Sequence, residues 1–122
     1  MIAVSGEVDS GAPVAAMARA IDLGHLGRMT LGERSLEREV LILFVRQGDM
    51  LRRRMRQSAP AVIAVAAHTL KGSALGVGAF RVAGAAAAVE SAKAADLAAA
   101  LDGLDAALDE AKAAVAALLP EL

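Results

Sequence analysis

The apolar residues in the first half of the chain follow the period of an α-helix. From about Leu31 to Gln57 they recur every three or four positions, and charged residues fall between them. This amphipathic spacing predicts one long helix. Its apolar stripe consists of Leu36, Val40, Leu43, Phe44 and Leu51, and the charged positions between them include Glu37, Arg38, Arg46 and Asp49.

Proline and glycine mark the limits of the next helix. Pro60 suits the first turn of a helix, with Ser58 or Ala59 near its cap. Gly76 and Gly78 form a glycine-containing turn in which positive φ can end the helix. We therefore expect a second major helix between Pro60 and this turn.

Two more helices are predicted in the last third of the chain. One starts near Phe80 and extends to about Ala95, and Asp96 can cap the next. The last helix carries an apolar stripe at steps of four and three residues, typical of a face buried in a bundle. The stripe consists of Leu97, Leu101, Leu104, Leu108, Ala111, Val115 and Leu118.

The remaining segments complete an all-α prediction. Residues 14 to 29 should form one or two short helices with Asp22 as a possible N-cap, and residues 1 to 13 should form a flexible N-terminal arm. Residues 14 to 122 then make one domain. Because the joints between the major helices are short, we expect an antiparallel four-helix bundle with a short additional N-terminal helix or helices.

The composition indicates a core of small aliphatic side chains and argues against nucleic acid or an anionic membrane as the partner. Apolar residues make up 57% of the chain but aromatic residues only 2%, which favours close-packed helices of small aliphatic side chains. The 13 basic and 14 acidic residues give no overall field that would attract nucleic acid or an anionic membrane. The absence of cysteine excludes disulfides and thiolate chemistry. With no signal peptide and no uninterrupted apolar span, we expect a cytoplasmic protein.

His68 is predicted to lie on the outer face of the helix that begins at Pro60. Each residue advances about 100° around the helix axis, which assigns faces from residue numbers alone. The side opposite His68 should face the core and carries Ile63, Ala66, Leu70, Ser73 and Val77. The residues on the side of His68 are Ala61, Ala64, Val65, Lys71, Gly72 and Leu75.

This outer face is unusually apolar and open for a helix surface, which indicates an interaction site. Gly72 lies one turn after His68 and costs the helix about 1 kcal/mol relative to alanine, so we interpret it as giving access to the imidazole. Lys71 can reach an anion attached to His68. An exposed neutral imidazole beside a lysine suits nucleophilic attack on phosphorus, and the residues therefore point to phosphoryl transfer onto and off His68.

The stretch HTLKGSALGVGAF closely resembles the signature of histidine-containing phosphotransfer (HPt) domains. The resemblance implies a four-helix bundle and a relay of phosphate between receiver-domain aspartates, with His68 as phospho-acceptor, Lys71 as its phosphate-stabilising neighbour and Gly72 as the opening beside the ring. Ser73 matches the motif but lies nearer the core, which suggests a role in packing or in a hydrogen bond within the helix. Glu90 falls where some members carry a polar residue, and an acid there would orient a ring N–H.

The resemblance also implies the partners. We expect response-regulator receiver domains, including those of a hybrid histidine kinase, and a monomer without kinase activity of its own. No cofactor is expected on this chain, and any Mg²⁺ should belong to the receiver's acidic pocket. With two histidines and no cysteine, we expect no metal site here either.

Two other interpretations stay open from the sequence. One is a dimerisation and phosphoacceptor bundle, or an adaptor, related to histidine kinases, although Thr69 follows His68 where such domains usually carry an acid. The other is a purely structural interaction bundle.

His25 is interpreted as structural. Favourable contact with the helix C-terminal dipole explains the cluster Arg52, Arg53, Arg54 and Arg56 better than partner binding does.

Overall fold

The fold is a bundle of five helices, described for residues 20–122 in a computed structural model. The helices are α1 (Leu23–Met29), α2 (Arg34–Arg56), α3 (Pro60–Val77), α4 (Phe80–Ser91) and α5 (Leu97–Leu118), with 3-10 turns at Ala94–Asp96 and Leu119–Glu121. No strand occurs in these residues. The all-α bundle prediction is confirmed. The predicted arm at 1 to 13 and the helical prediction for 14 to 19 lie outside the described residues.

The four long helices enclose one aliphatic core. Each packs against its neighbour in sequence, and α2 also packs against α5, which closes the bundle. Since the connections are short, consecutive helices run antiparallel. The largest fully buried side chains come from all five helices and from the residue Ile21 before α1: Ile21, Leu26, Leu41, Met55, Leu70, Leu104 and Val82. The stripe predicted on α5 is buried from Leu101 to Leu118, and Leu97 is partly buried.

Two predicted caps are present as expected. The Asp22 side chain accepts a hydrogen bond from the His25 backbone N–H at 2.9 Å and caps α1. Gly78 ends α3 with φ of +83°. A Cβ at Gly78 would also lie 2.9 Å from the Asp22 carbonyl oxygen, so both conformation and space require glycine there. Gly76, in contrast, lies inside α3, and the prediction that it forms part of the turn was wrong.

The prediction for α2 was wrong at its start and on part of its buried face. The helix begins at Arg34, because Leu31 and Gly32 adopt φ of +55° and +75° in a turn that α-helical geometry excludes. Leu36 and Leu43, expected in the core, are 40% and 54% exposed. The buried face is rotated from the predicted stripe and consists of Glu37, Leu41, Phe44, Gly48, Leu51 and Met55.

The joint between α4 and α5 also differs from the prediction. Helix α4 ends at Ser91 rather than near Ala95, because Ala92 and Lys93 have extended backbone conformations. Asp96 occupies the N-cap position of α5, but its side chain accepts no capping hydrogen bond. Its φ and ψ of −104° and −5° already lie in the helical region rather than the extended region typical of a capping residue.

The arginines near the end of α2 join a network of ion pairs to α5. Arg52 contacts Asp49 at 2.9 Å and Asp109 at 2.8 Å, and Arg56 lies 2.8 Å from Asp102. The interpretation of this cluster through the helix dipole alone was therefore incomplete, since two of its four arginines hold α2 against α5. Further contacts in the network join Arg56 to Asp105 at 2.7 Å and Lys112 to Asp49 at 2.8 Å.

Among residues 20–122, α3 is the one helix whose length and composition would allow it to cross a membrane. This is weak evidence for a membrane span, because a core helix of a bundle has the same length and apolar content. Several of its residues are buried against the other helices, including Ile63, Ala67 and Leu70.

Candidate functional site

His68 projects from the outer face of α3, as its helical position predicts. Its side chain is 68% exposed, and the opposite side of the helix is buried at Ile63, Ala66, Leu70 and Val77. The histidine is therefore a surface group whose ring contributes little to the core.

Glu90 on α4 holds one nitrogen of this ring. Its Oε2 lies 2.8 Å from His68 Nδ1. Because an ionised carboxylate can only accept, Nδ1 carries the hydrogen and donates it. In the neutral ring, Nε2 then has a free lone pair. The contact selects the tautomer in which the outer nitrogen keeps its lone pair.

Lys71 contacts the same carboxylate. Its Nζ lies 3.2 Å from Glu90 Oε1, so one carboxylate bridges the lysine and the histidine. Hydrogen bonds from Lys71 first and from His68 second hold the pKa of Glu90 below its ordinary value, although desolvation opposes them. Glu90 is consequently ionised at neutral pH and remains an acceptor for both partners. We call His68, Lys71 and Glu90 the site triad.

Gly72 lies beside the triad in open space. A Cβ built at Gly72 would meet no heavy atom within 4 Å. At Gly48 on α2, by comparison, a Cβ would lie 2.9 Å from Leu108 Cδ2, so close helix packing requires that glycine. Packing does not require Gly72, but Gly76, Gly84 and Gly103 are equally open, so access to the imidazole stays a prediction for Gly72.

The surface around His68 is largely apolar. Val65 is 68% and Leu75 46% exposed, Ala61 is exposed, and Ala64 is partly buried. All four lie on the predicted face of α3. They form a smooth surface around the one exposed imidazole on this helix.

An apolar groove lies between α2 and α3. It has a volume of about 440 Å³ and is lined by Val40, Leu43, Phe44, Gln47, Ser73 and Val77. Ser73 is partly buried there, which agrees with its predicted position nearer the core than His68.

Sequence reasoning missed an exposed apolar stripe on α2. Leu36, Leu43 and Met50 are spaced by seven residues and all three are exposed, so they form a second apolar stripe beside the buried one. The seven-residue spacing was a signal in the sequence, but it could not show which of two neighbouring stripes faces the core.

The described residues contain no cluster of three or more histidine and acidic side chains placed to hold a metal ion. His25 also lies apart from the site triad. It is partly buried, and its Nε2 lies 3.2 Å from the Gly76 carbonyl oxygen. The described part of the chain therefore presents one histidine with an open ring nitrogen on an apolar surface.

A family model described as the Hpt domain matches residues 39–114. The match covers more than half of the chain, extends from within α2 into α5 and includes the whole site triad. No curated protein and no solved structure gives a significant match to the chain. The family match agrees with the helical bundle and with the motif around His68. The chain belongs to the family of histidine-containing phosphotransfer (Hpt) domains.

Proposed function

We propose that this protein relays a phosphoryl group between receiver-domain aspartates and His68 in a two-component phosphorelay. The observation that carries the proposal is the 2.8 Å contact between His68 Nδ1 and Glu90, which leaves Nε2 free on an exposed ring. Lys71, partly buried and tied to the same carboxylate, supplies a positive charge on the same helix face as His68. In this proposal the chain is a phosphohistidine carrier without kinase activity of its own, acting in the cytoplasm.

The transfer step follows from this arrangement. The Nε2 lone pair attacks the phosphorus of a receiver's aspartyl phosphate, and an N–P bond forms as the P–O bond to the aspartate breaks. The bonding electrons of the P–O bond leave with the aspartate carboxylate. The ring becomes a cation that keeps its Nδ1 hydrogen, and the Glu90 carboxylate stabilises this charge. Transfer to the next receiver is the reverse reaction.

Lys71 is proposed to act on the migrating phosphoryl group. Three residues after His68, it lies on the same helix face. Its contact with Glu90 at 3.2 Å is longer than the His68 contact at 2.8 Å, and Lys71 can exchange that contact for a phosphoryl oxygen. A cation beside oxygens that gain charge during transfer lowers the barrier more than it strengthens binding.

The partner is proposed to dock on the apolar surface that surrounds His68. Val65 and Leu75 flank the imidazole, and exposed apolar area of this kind is typical of interaction sites. The proposed partners are receiver domains, either of response regulators or of a hybrid kinase, and any Mg²⁺ belongs to the receiver.

The proposal is tested by incubating the chain with receiver domains carrying ³²P-labelled aspartyl phosphate. Label should move to the wild-type chain and to His25→Ala, but not to His68→Ala. Label absent from wild type with every receiver tested would favour a purely structural bundle. A stable dimer phosphorylated only by a kinase's ATP-binding domain would instead support the histidine-kinase phosphoacceptor bundle.

A further inference from the structure

A cavity of about 500 Å³ lies at the end of the bundle where α2 begins and α5 ends. Leucines from α1, α2 and α5 form much of its wall, among them Leu26, Leu41 and Leu118. Arg34, Glu37 and Glu121 also line it. None of these residues belongs to the site triad, and the volume lies in the range of small-molecule sites.

Glu37 is the buried charged residue of this cavity. It is only 9% exposed, and its Oε2 lies 3.1 Å from the Thr30 hydroxyl, whose one hydrogen is shared with the Leu26 carbonyl oxygen at 2.9 Å. Among residues 20–122, no cation forms an ion pair with Glu37, and its Oε1 has no hydrogen-bond partner. The same residues contain no fully buried polar side-chain atom that lacks a partner. Glu37 Oε1 is therefore not enclosed by protein atoms. Since Glu37 lines the cavity, we take Oε1 to face it.

The position of this carboxylate favours a positively charged occupant. A buried carboxylate without a cation is costly, and its place in the first turn of α2 offsets only part of that cost. Arg34 gives the cavity little preference for an anion, because its side chain is exposed and its Nη1 already donates to the Glu121 carbonyl oxygen at 2.8 Å.

We propose that the cavity binds a small apolar amine in its ammonium form. The ammonium group donates to Glu37 Oε1, and the apolar part of the ligand packs against the leucines. An alcohol of the same length would bury the same apolar surface without compensating the carboxylate charge. A carboxylic acid would place a second negative charge beside Glu37. The site therefore selects the amine over both.

The test is an NMR titration of the ¹⁵N-labelled chain with n-hexylamine, hexan-1-ol and hexanoate at pH 7. Hexylammonium should shift the backbone amides around the cavity saturably, including those of Leu26 and Leu41. Hexanol should bind at least about tenfold more weakly, and hexanoate should cause no saturable shift. In Glu37→Gln the preference for the amine should disappear. The control Glu33→Gln removes an exposed carboxylate from the same turn and should keep that preference.

A second variant tests the cavity without changing its charge. Leu23 lines the cavity but is partly exposed, so Leu23→Trp can fill the space while the core stays intact. This variant should lose hexylammonium binding and keep its cooperative unfolding. Equal affinity for hexylamine and hexanol, retention of the amine preference in Glu37→Gln, or no saturable shift around the cavity would each overturn the proposal.

Discussion

The two histidines of this chain differ in which ring nitrogen is occupied and by what. His25 is partly buried, with Nε2 facing the Gly76 carbonyl oxygen at 3.2 Å and its ring edge-on to Phe80 at a centroid distance of 5.3 Å. His68 is mostly exposed, with Nδ1 held by the Glu90 carboxylate and Nε2 open. Because a backbone carbonyl occupies Nε2 of His25, we interpret this ring as structural. Because the Glu90 carboxylate occupies Nδ1 of His68, Nε2 stays free, and this ring is a candidate nucleophile.

The largest expected effect comes from exchanging the two histidines for alanine in separate variants. His68→Ala should abolish phosphoryl acceptance and change the free energy of unfolding by no more than about 0.5 kcal/mol, since its ring is exposed. His25→Ala should accept phosphate normally but lose about 1 kcal/mol of stability with its hydrogen bond and aromatic contact. Label transfer and denaturant unfolding measure the two properties. A His68→Ala chain that unfolds would place His68 in the core and contradict the comparison.

Removal of Lys71 should cause the next largest effect. Lys71→Ala should lower the saturated single-turnover transfer rate about tenfold to a hundredfold, because the cation acts mainly in the transition state. The concentration of receiver at half-saturation should change much less. Lys112→Ala is the matched control, since Lys112 pairs with Asp49 in the α2–α5 network. If Lys71→Ala altered only the concentration dependence, Lys71 would be a docking residue.

Glu90 is expected to be a positioning residue. Glu90→Ala should slow transfer about tenfold, because the ring loses the acceptor that selects its tautomer. Glu90→Gln should recover part of that rate, since the amide oxygen can still accept from Nδ1. NMR of the histidine ring nitrogens should show a mixture of tautomers at His68 in Glu90→Ala and an unchanged His25. The same His68 tautomer in wild type and Glu90→Ala would remove this role.

Gly72 should show a smaller effect, of opposite sign on stability and on transfer. Gly72→Gln should stabilise the chain by up to about 1 kcal/mol through helix propensity. It should slow transfer about threefold to tenfold, because the new side chain obstructs the ring. Gly103→Gln is the control, since Gly103 is also an exposed helix glycine with no heavy atom within 4 Å of a built Cβ. Equal transfer rates in both variants would remove the access argument.

The smallest expected effect is on stability and concerns the ion pairs between α2 and α5, which lie outside the site triad. Hydrogen bonds from Lys112 first and from Arg52 lower the pKa of Asp49. A lowered folded-state pKa adds stability above the ordinary aspartate pKa, and this stability is lost as the pH falls through the lowered value. Asp49→Asn should therefore be about 0.5–1 kcal/mol less stable than wild type at pH 7. That difference should shrink in acid, and a difference independent of pH would exclude the ion pairs as its cause.

The sequence was sufficient to predict α3 and the outward position of His68. Pro60 and Gly78 determine the ends of this helix through local conformation, and helical periodicity then assigns its faces. Both signals act within one helix. This explains why they could be derived from residue order alone.

The errors arose where two helices meet. Leu43 and Leu41 are equally apolar, and only the packing of α2 decides that Leu41 is buried and Leu43 exposed. Glu37 is buried beside Thr30, whose hydroxyl lies 3.1 Å from its Oε2 across the turn. Arg52 and Arg56 find their acidic partners on α5 through a register between helices that periodicity does not give.

The site triad shows the same limit. Periodicity on α3 brings Lys71 to the side of His68, but Glu90 comes from α4, and its distance from the ring depends on how α3 and α4 pack. The family resemblance suggested an orienting role for Glu90, and the structure supplies the contact of 2.8 Å with Nδ1.

The central claim is that His68 accepts a phosphoryl group on Nε2 while Nδ1 keeps its hydrogen. The most direct measurement is ³¹P–¹⁵N coupling in a chain with ¹⁵N-labelled histidine, after incubation with a phosphorylated receiver. The predicted result is one phosphorylated ring, that of His68, with the coupling at Nε2 and an unmodified His25. Phosphate on Nδ1, phosphate on His25, or no N–P coupling with any receiver that loses its phosphate to the chain would contradict the claim.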